Sequence, residues 1–244
     1  MYDDLDRPPL DARALARALA PDGWRLEVVA TAGSTNADVA ERARAGEPPG
    51  LVLVAEAQTA GRGRLDRTWV SPARAGLTLS ALLTADQDRL SWQPLLGGVA
   101  VVRALGEVAE LDAVLKWPND VLLDGRKVCG LLAEVPRAGL VVLGIGLNVT
   151  TRDDELPHAG ATSLQLAGAS ALDRGTLLKA LLRHLARPAG PQDYRAACST
   201  LGRRVRVELP GGHAVEGLAE DVDARGRLVV EGTAYAAGDV VHLR

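Results

Sequence analysis

Apolar positions follow two rhythms along this chain, one near 3.6 residues and one near two, and their order predicts alternating helices and strands. Leu15 and Leu19 stand four apart among alanines and predict one short amphipathic helix, ended by Pro21-Asp22-Gly23. Leu26-Glu27-Val28-Val29 predicts a strand. Gly33-Ser34-Thr35-Asn36 then leads into a helix over about 36–45, with Ser34 or Thr35 as its N-cap. A Pro/Gly turn over 46–50 precedes a buried strand at 51–55, and residues 76–83 form the next strand. Leu95, Leu96, Val99, Val102 and Leu105 recur at helical spacing and predict a core helix over about 92–110, with Pro94 in its first turn.

The next block is strand-rich. Asp124-Gly125 between two apolar runs signals a hairpin, and residues 140–149 supply a third strand of a meander. Its strands and their ends carry Lys116, Asn119, Asp120, Lys127, Gly130, Gly144, Gly146 and Asn148. Glycines inside strands mark a bulge or the close approach of a ligand. Residues 153–160 read as an exposed loop, and Thr162-Ser163-Leu164 as the start of a short helix. Asp173 caps a helix over 177–185, Pro188-Ala189-Gly190-Pro191 is a break, and 192–200 is a last short helix. From Arg203 the pattern is short strands and Gly-rich turns, a small β-barrel of roughly forty residues. The expected division is a main domain over 1–200 and a small one over 201–244.

Composition narrows the function. A chain of 244 residues with 47% hydrophobic content can bury a sizeable core, and a net charge of −3 provides no global field for nucleic acid. No apolar run is long enough to span a bilayer, and Asp3, Asp4 and Asp6 are wrong for a signal peptide. Two unpaired cysteines, Cys129 and Cys198, suit a reducing cytoplasm. The four histidines are scattered, with no metal signature. Lysine occurs only at 116, 127 and 179, and two of the three fall in one short block.

The strongest local chemistry is Gly61-Arg62-Gly63-Arg64-Leu65-Asp66-Arg67-Thr68-Trp69, a flexible cationic loop reached from a strand. Backbone N–H groups and guanidinium forks suit an anion. The loop is not a P-loop, because G-x-x-x-x-G-K-[ST] is absent. It is not a dinucleotide fingerprint either, since Asp66 holds the third glycine position. From the residues alone, Trp69 and Trp117 read as packing, Cys129 as a small buried hydrophobe and Arg126 as a surface charge.

Taken together, Gly33 to Asn36, Gln58 to Trp69 with Ser71-Pro72, Lys116-Trp117-Pro118-Asn119-Asp120, Arg126-Lys127 with Gly130, and Gly144 to Asn148 resemble the catalytic domain of biotin protein ligases in order and spacing. The resemblance implies an α/β (α+β) core with a mixed, largely antiparallel sheet, followed by an SH3-like barrel. It implies ATP and Mg²⁺, biotin as substrate, a biotinyl-5′-AMP intermediate and transfer to a lysine of a biotin carboxyl carrier protein. By the same resemblance Ser34, Thr35, Asn36, Gln58 and Gly130 bind biotin, and Gly61, Arg62, Gly63 and Arg64 hold carboxylate and phosphate. Lys127 lies by the biotin carboxylate. Lys116, Arg67, Asn119, Asn148 and Trp69 serve the nucleotide, with Asn119 a possible contact to its Mg²⁺ and no protein cage for the metal. Asp120 accepts a proton from the incoming lysine. Lys127, Arg62, Arg64 and Asp120 are the implied catalytic set.

The family carries glycine where this chain has Asp66. Asp tolerates positive φ less well than Gly and opposes an anionic ligand, so Asp66→Gly is expected to tighten adenylate retention. The Gly/Arg composition predicts a lid that is disordered without ligand and folds over the adenylate, excluding water. Three other readings remain: a lipoate-type acyl ligase, a non-catalytic carrier-binding module, and a biotin-responsive repressor. The last needs a winged helix-turn-helix, for which the acidic segment before Gly33 is too short.

Overall fold

The computed structural model describes residues 6–65, 67–187 and 189–243. The departure from glycine at Asp66 lies outside the described residues. Helix α1 (Ala12–Leu19) buries Leu15 and Leu19, and Asp11 caps it by accepting from the Ala14 N–H. Strand β1 (Arg25–Val29), helix α2 (Thr35–Arg44) and strand β2 (Leu51–Ala55) follow, then β3 (Gly76–Thr84) and α3 (Gln93–Ala109). Strands β4 (Val114–Lys116), β5 (Asp120–Leu123), β6 (Arg126–Glu134) and β7 (Leu140–Asn148) form the meander, and α4 (Arg174–Ala186) and α5 (Pro191–Ala197) close this part of the chain.

Seven strands form one sheet in the order β1-β2-β3-β7-β6-β5-β4. Only β1 and β2 run parallel; the other neighbours are antiparallel. The β5–β6 turn has Asp124 at φ 49° and Gly125 at φ 75°, the two positive values a type I′ hairpin requires.

Both faces of the sheet are covered, which explains the unbroken apolar run of β2. Val52 and Val54 join the core under α3, whereas Leu51 and Leu53 join Val39, Ala40 and Ala43 of α2. The Gly97-Gly98 pair lets α3 settle closely, because a Cβ at Gly97 would meet Leu143 and Leu131 side chains at 2.8 and 2.9 Å.

Strands β8 (Arg204–Glu208), β9 (Ala214–Val222), β10 (Leu228–Val230), β11 (Thr233–Tyr235) and β12 (Asp239–His242) form a second antiparallel sheet, ordered β11-β10-β9-β8-β12. The whole is an α/β core with a small SH3-like sheet. Two buried indoles fasten the second sheet to the first: Trp117 Nε1 donates to the Gly226 carbonyl at 3.1 Å and Trp92 Nε1 to the Ala224 carbonyl at 2.9 Å.

One expected element is absent. Residues 162–164 do not start a regular helix; the Thr162 and Leu164 N–H groups bond the Lys127 and Asn148 carbonyls. One turn follows and stops at Gly168, at φ 76°. Pairing with the ends of β6 and β7 overrides the local helical signal there. The last helix is also shorter than expected, ending at Ala197.

Candidate functional site

Strand register assembles the site. Thr78 pairs with Gly146, Gly146 with Gly130, Gly130 with Asp120, and Asp120 with Lys116, so one transverse row crosses four sheet neighbours. The same-face rows on either side of it pair Ser80 with Gly144 and Gly76 with Asn148. Residues two apart share a face. The glycine-bearing positions of β6 and β7 therefore form a floor without side chains. Lys127 would fall on the opposite face from Gly130 by simple alternation. The β5–β6 register slips between Val121 and Leu122, leaving Val128 as an extra residue on β6. The bulge returns Lys127 to the face of the floor, where Nζ lies 2.6 Å from Asp120 Oδ1.

Above this floor is a cleft of about 710 Å³. It is lined by Ser34, Thr35, Asn36 and Gln58 on one side and by Arg62, Gly63, Arg64, Arg67 and Trp69 from the loop. Lys116, Asn119, Asp120, Lys127, Gly130 and Asn148 complete the set expected from sequence. Gly61, the remaining expected residue, lies at the loop base, where a Cβ would come 2.4 Å from the Trp69 carbonyl.

The wall at the start of α2 is a connected polar network. Gln58 Oε1 accepts from the Thr35 N–H at 2.8 Å and from its hydroxyl at 3.1 Å. The Ser80 hydroxyl lies 2.8 Å from Thr35 Oγ1 and 2.6 Å from Asn36 Oδ1, while Asn36 Nδ2 donates to Glu134 Oε2 at 2.8 Å. Ser34 stands at the N-cap of α2 but its side chain makes no capping bond. Its hydroxyl is buried and has no protein partner among the described residues, and neither has Trp69 Nε1. Orphaned polar atoms on a cleft are open for a ligand.

The two sides of the loop pair with each other. Gly63 N–H donates to the Arg67 carbonyl at 2.6 Å, Trp69 N–H to the Gly61 carbonyl at 2.9 Å, and Arg62 bridges Thr68. Carboxylates give its guanidinium groups partners. Arg62 lies 3.7 Å from Glu134, Arg64 lies 3.8 Å from Asp239, and Arg67 also pairs with Asp239. Arg64 donates to Asn119 Oδ1 at 3.3 Å; burial lowers its pKa from the usual value against the pull of Asp239 and Asp120. The Trp69 indole lies on the glycine floor. A Cβ at Gly146 would come 2.3 Å from its Cε2, and Lys127 Nζ is 5.8 Å from its ring centroid.

Asn119 is fixed by donating to the Leu131 carbonyl at 2.8 Å, and Asn148 by donating to the Thr162 carbonyl at 3.0 Å. Arg126 is more than a surface charge: its Nε donates to the Ala161 carbonyl at 3.0 Å and helps fix the segment after β7. Cys129 is fully buried, and its pKa is raised by desolvation. Among the described residues no group of His, Cys, Asp or Glu side chains converges that could hold a metal ion. No helix among them is long and apolar enough to cross a membrane.

The cleft also contains residues that sequence reasoning missed. Pro157, His158 and Ala161 come from the segment after β7, and Glu208, Asp239, Val240 and Val241 from the second sheet. Lys127 O and N bond Thr162 and Gly160, an ordinary ladder that no local sequence signal announces.

Comparison with known proteins agrees with this geometry. Residues 31–149 match the biotin/lipoate A/B protein ligase family, and residues 200–243 match the biotin protein ligase C terminal domain. A biotin–[acetyl-CoA-carboxylase] ligase of Mycobacterium tuberculosis is 48% identical over 98% of this chain and 97% of its own. The biotin protein ligase of Aquifex aeolicus, solved with biotin and ATP, superposes with a TM-score of 0.71 at 30% identity, covering 90% of this chain and 98% of that one. The Leishmania major enzyme, solved with biotinyl-5-AMP, gives 0.62 at 25% identity over 90% and 98% of the two chains. With the cleft, the floor and both sheets accounted for over nearly its whole length, the chain belongs to the biotin protein ligase family.

Proposed function

We propose that this chain is an ATP-dependent ligase that activates biotin as biotinyl-5′-AMP and passes the biotinyl group to one lysine of a biotin carboxyl carrier protein. The observation that carries this reading is the Lys127–Asp120 pair, 2.6 Å apart on a glycine floor beneath an arginine-rich loop. Two anions must meet for the first step, and the local cations offset their repulsion.

In the first step a carboxylate oxygen of biotin forms a bond to the α-phosphorus as the bond to pyrophosphate breaks. Lys127 and Arg62 stabilise the charge on the carboxylate side; Arg64 and Arg67 do so on the phosphate side. Mg²⁺ would enter on the triphosphate as part of the substrate, with Asn119 its assigned protein contact. In the second step the neutral amine of the carrier lysine forms a C–N bond to the acyl carbon, the C–O bond to AMP breaks, and the proton passes to Asp120. Nothing in this sequence requires covalent attachment to the enzyme; positioning and preorganised charge suffice.

Ser34, Thr35, Asn36, Gln58 and Gly130 are assigned to biotin. The ureido group needs both donors and acceptors, and the unpartnered Ser34 hydroxyl beside the Thr35–Gln58 network suits it. Gly61 and Gly63 let the loop backbone approach. Lys116, Asn119, Asn148 and Trp69 are assigned to the nucleotide end. Two free, buried cysteines suit a cytoplasmic setting. The catalytic unit is assigned to residues 1–200 and the SH3-like unit to 201–244.

The test is mass spectrometry of a carrier domain incubated with the protein, ATP and biotin or lipoate. Gain of one biotinyl group, and none with lipoate, is the expected result. Lipoylation, or no modification with either acid, overturns the assignment.

A further inference from the structure

Arg174 opens α4 on the far side of β3 from the cleft, yet it grips the base of the arginine-rich loop. The loop leaves the sheet after Ala55 and re-enters it at Gly76. One guanidinium joins the two stems: Arg174 NH1 donates to Glu56 Oε2 at 2.6 Å and to the Gly76 carbonyl at 3.3 Å. The stems are also closed by the Arg74 N–H, which donates to the Glu56 carbonyl at 2.7 Å. On its other side the pair holds the N-terminal strap. Arg174 NH2 donates to the Pro8 carbonyl at 2.6 Å, and Glu56 Oε1 accepts from the Leu10 N–H at 2.7 Å.

This is an expensive arrangement. The Arg174 and Glu56 side chains are 6% and 9% exposed, and desolvation offsets much of the attraction in so buried a pair. Arg174 is also a cation in the first turn of a helix, where the helix dipole opposes it. Fixing one geometry is the use such a pair can serve. Among the described residues, the hydrogen-bond partners of this pair belong either to the loop stems or to the strap. At the tip, by contrast, Arg62, Arg64 and Arg67 line the cleft itself and pair there with Glu134 and Asp239, contacts a ligand must share, so lasting control of the loop's direction belongs to its base.

We propose that Arg174 is a positioning residue for the adenylation step. Through Glu56 and Gly76 it sets the spacing and direction of the loop stems, so that the segment 61–69 meets the cleft already aligned, and the strap at residues 8–10 braces the clamp. This inference rests on reading the loop as the adenylate-binding element.

Two variants test it. Arg174→Lys keeps the charge and loses the fork that bonds several partners at once. The double variant Glu56→Leu/Arg174→Met removes the clamp together with its desolvation, which preserves stability better than removing one partner. Hydrogen exchange at residues 59–70 in the free protein is read beside adenylate loss after rapid dilution. Both rates are expected to rise roughly tenfold, as for losing one charge-assisted hydrogen bond, with exchange in α3 and β7 unchanged. Exchange at 59–70 that stays at the wild-type rate in Arg174→Lys overturns the proposal, as does acceleration spread equally through α3 and β7. If the wild type forms no adenylate, the functional reading fails while the exchange measurement still decides the clamp.

Discussion

Lys127 Nζ sits 2.6 Å from Asp120 Oδ1 because a bulge in β6 turns the lysine onto the glycine floor. The two side chains are 29% and 22% exposed, so their attraction is screened and contributes little to stability, about 1 kcal/mol or less. Their geometry is therefore better explained by chemistry than by folding. Lys127→Ala is expected to lower ATP–pyrophosphate exchange by about a hundredfold or more, the scale of losing one preorganised charge partner, with a thermal midpoint close to wild type. Normal exchange in a folded Lys127→Ala protein would refute the assigned role.

Gly144 on β7 lies directly beneath Asn36. A Cβ there would stand 2.1 Å from Asn36 Oδ1, closer than any real contact allows. Asn36 is already held by Ser80 and Glu134, so it has no free direction in which to move. Gly144→Ala is expected to break that network, destabilise the fold by about 1–3 kcal/mol, and weaken biotin binding at least about tenfold. Isothermal titration with biotin alone checks this, since adenylation does not enter the measurement. Wild-type affinity would show that the Asn36 network does not contact biotin.

Much of this site was readable in the sequence because its residues fall on periodic elements. Once the 140–149 run is a strand beside 126–134, Gly130, Gly144, Gly146 and Asn148 share a face by alternation alone. The Asp124-Gly125 turn sets β5 against β6, and the pairing of β6 with β7 brings Gly130 opposite Gly146. What could not be read was contact between distant segments. Asp239, Val240 and Val241 reach the cleft because the second sheet is seated on the first, in part through Trp92 and Trp117. Glu56 and Arg174, 118 positions apart, carry no local signal of their pairing. Thr162 to Leu164 read as a helix start because a local window does not contain Lys127 and Asn148, whose carbonyls accept from the Thr162 and Leu164 N–H groups.

Trp69 is the partly exposed indole of the chain. Trp24, Trp92 and Trp117 are 6%, 2% and 1% exposed and lie in the core. Trp69 instead rests on Gly146 with its Nε1 unpartnered, on the floor where substrate is assigned. Addition of biotin and ATP is expected to change the intrinsic fluorescence, and Trp69→Phe is expected to abolish the change while leaving the other three indoles emitting. A ligand-induced signal that survives in Trp69→Phe would show that the indole stays outside the site.

His242 on β12 ties pH to the junction between the two sheets. Its Nε2 lies 3.1 Å from Thr200 Oγ1, and Thr200 Oγ1 accepts from the Trp117 N–H at 3.1 Å. Burial, then the charges of Lys116 and Arg203, push its pKa down from 6.5 to about 4. Folding therefore favours the neutral ring. Above pH 6.5 both folded and unfolded chains carry it neutral, and it makes no difference to stability. Below that the unfolded chain takes up a proton that the folded one refuses, so stability falls progressively down to about pH 4. His242→Gln lacks the titrating ring. The gap between wild-type and variant unfolding free energies, from urea titrations at several pH values, is expected to be constant above pH 6.5 and to move against the wild type below it. A gap that does not change with pH across this window would mean that His242 is as accessible to protons in the folded protein as in the unfolded chain.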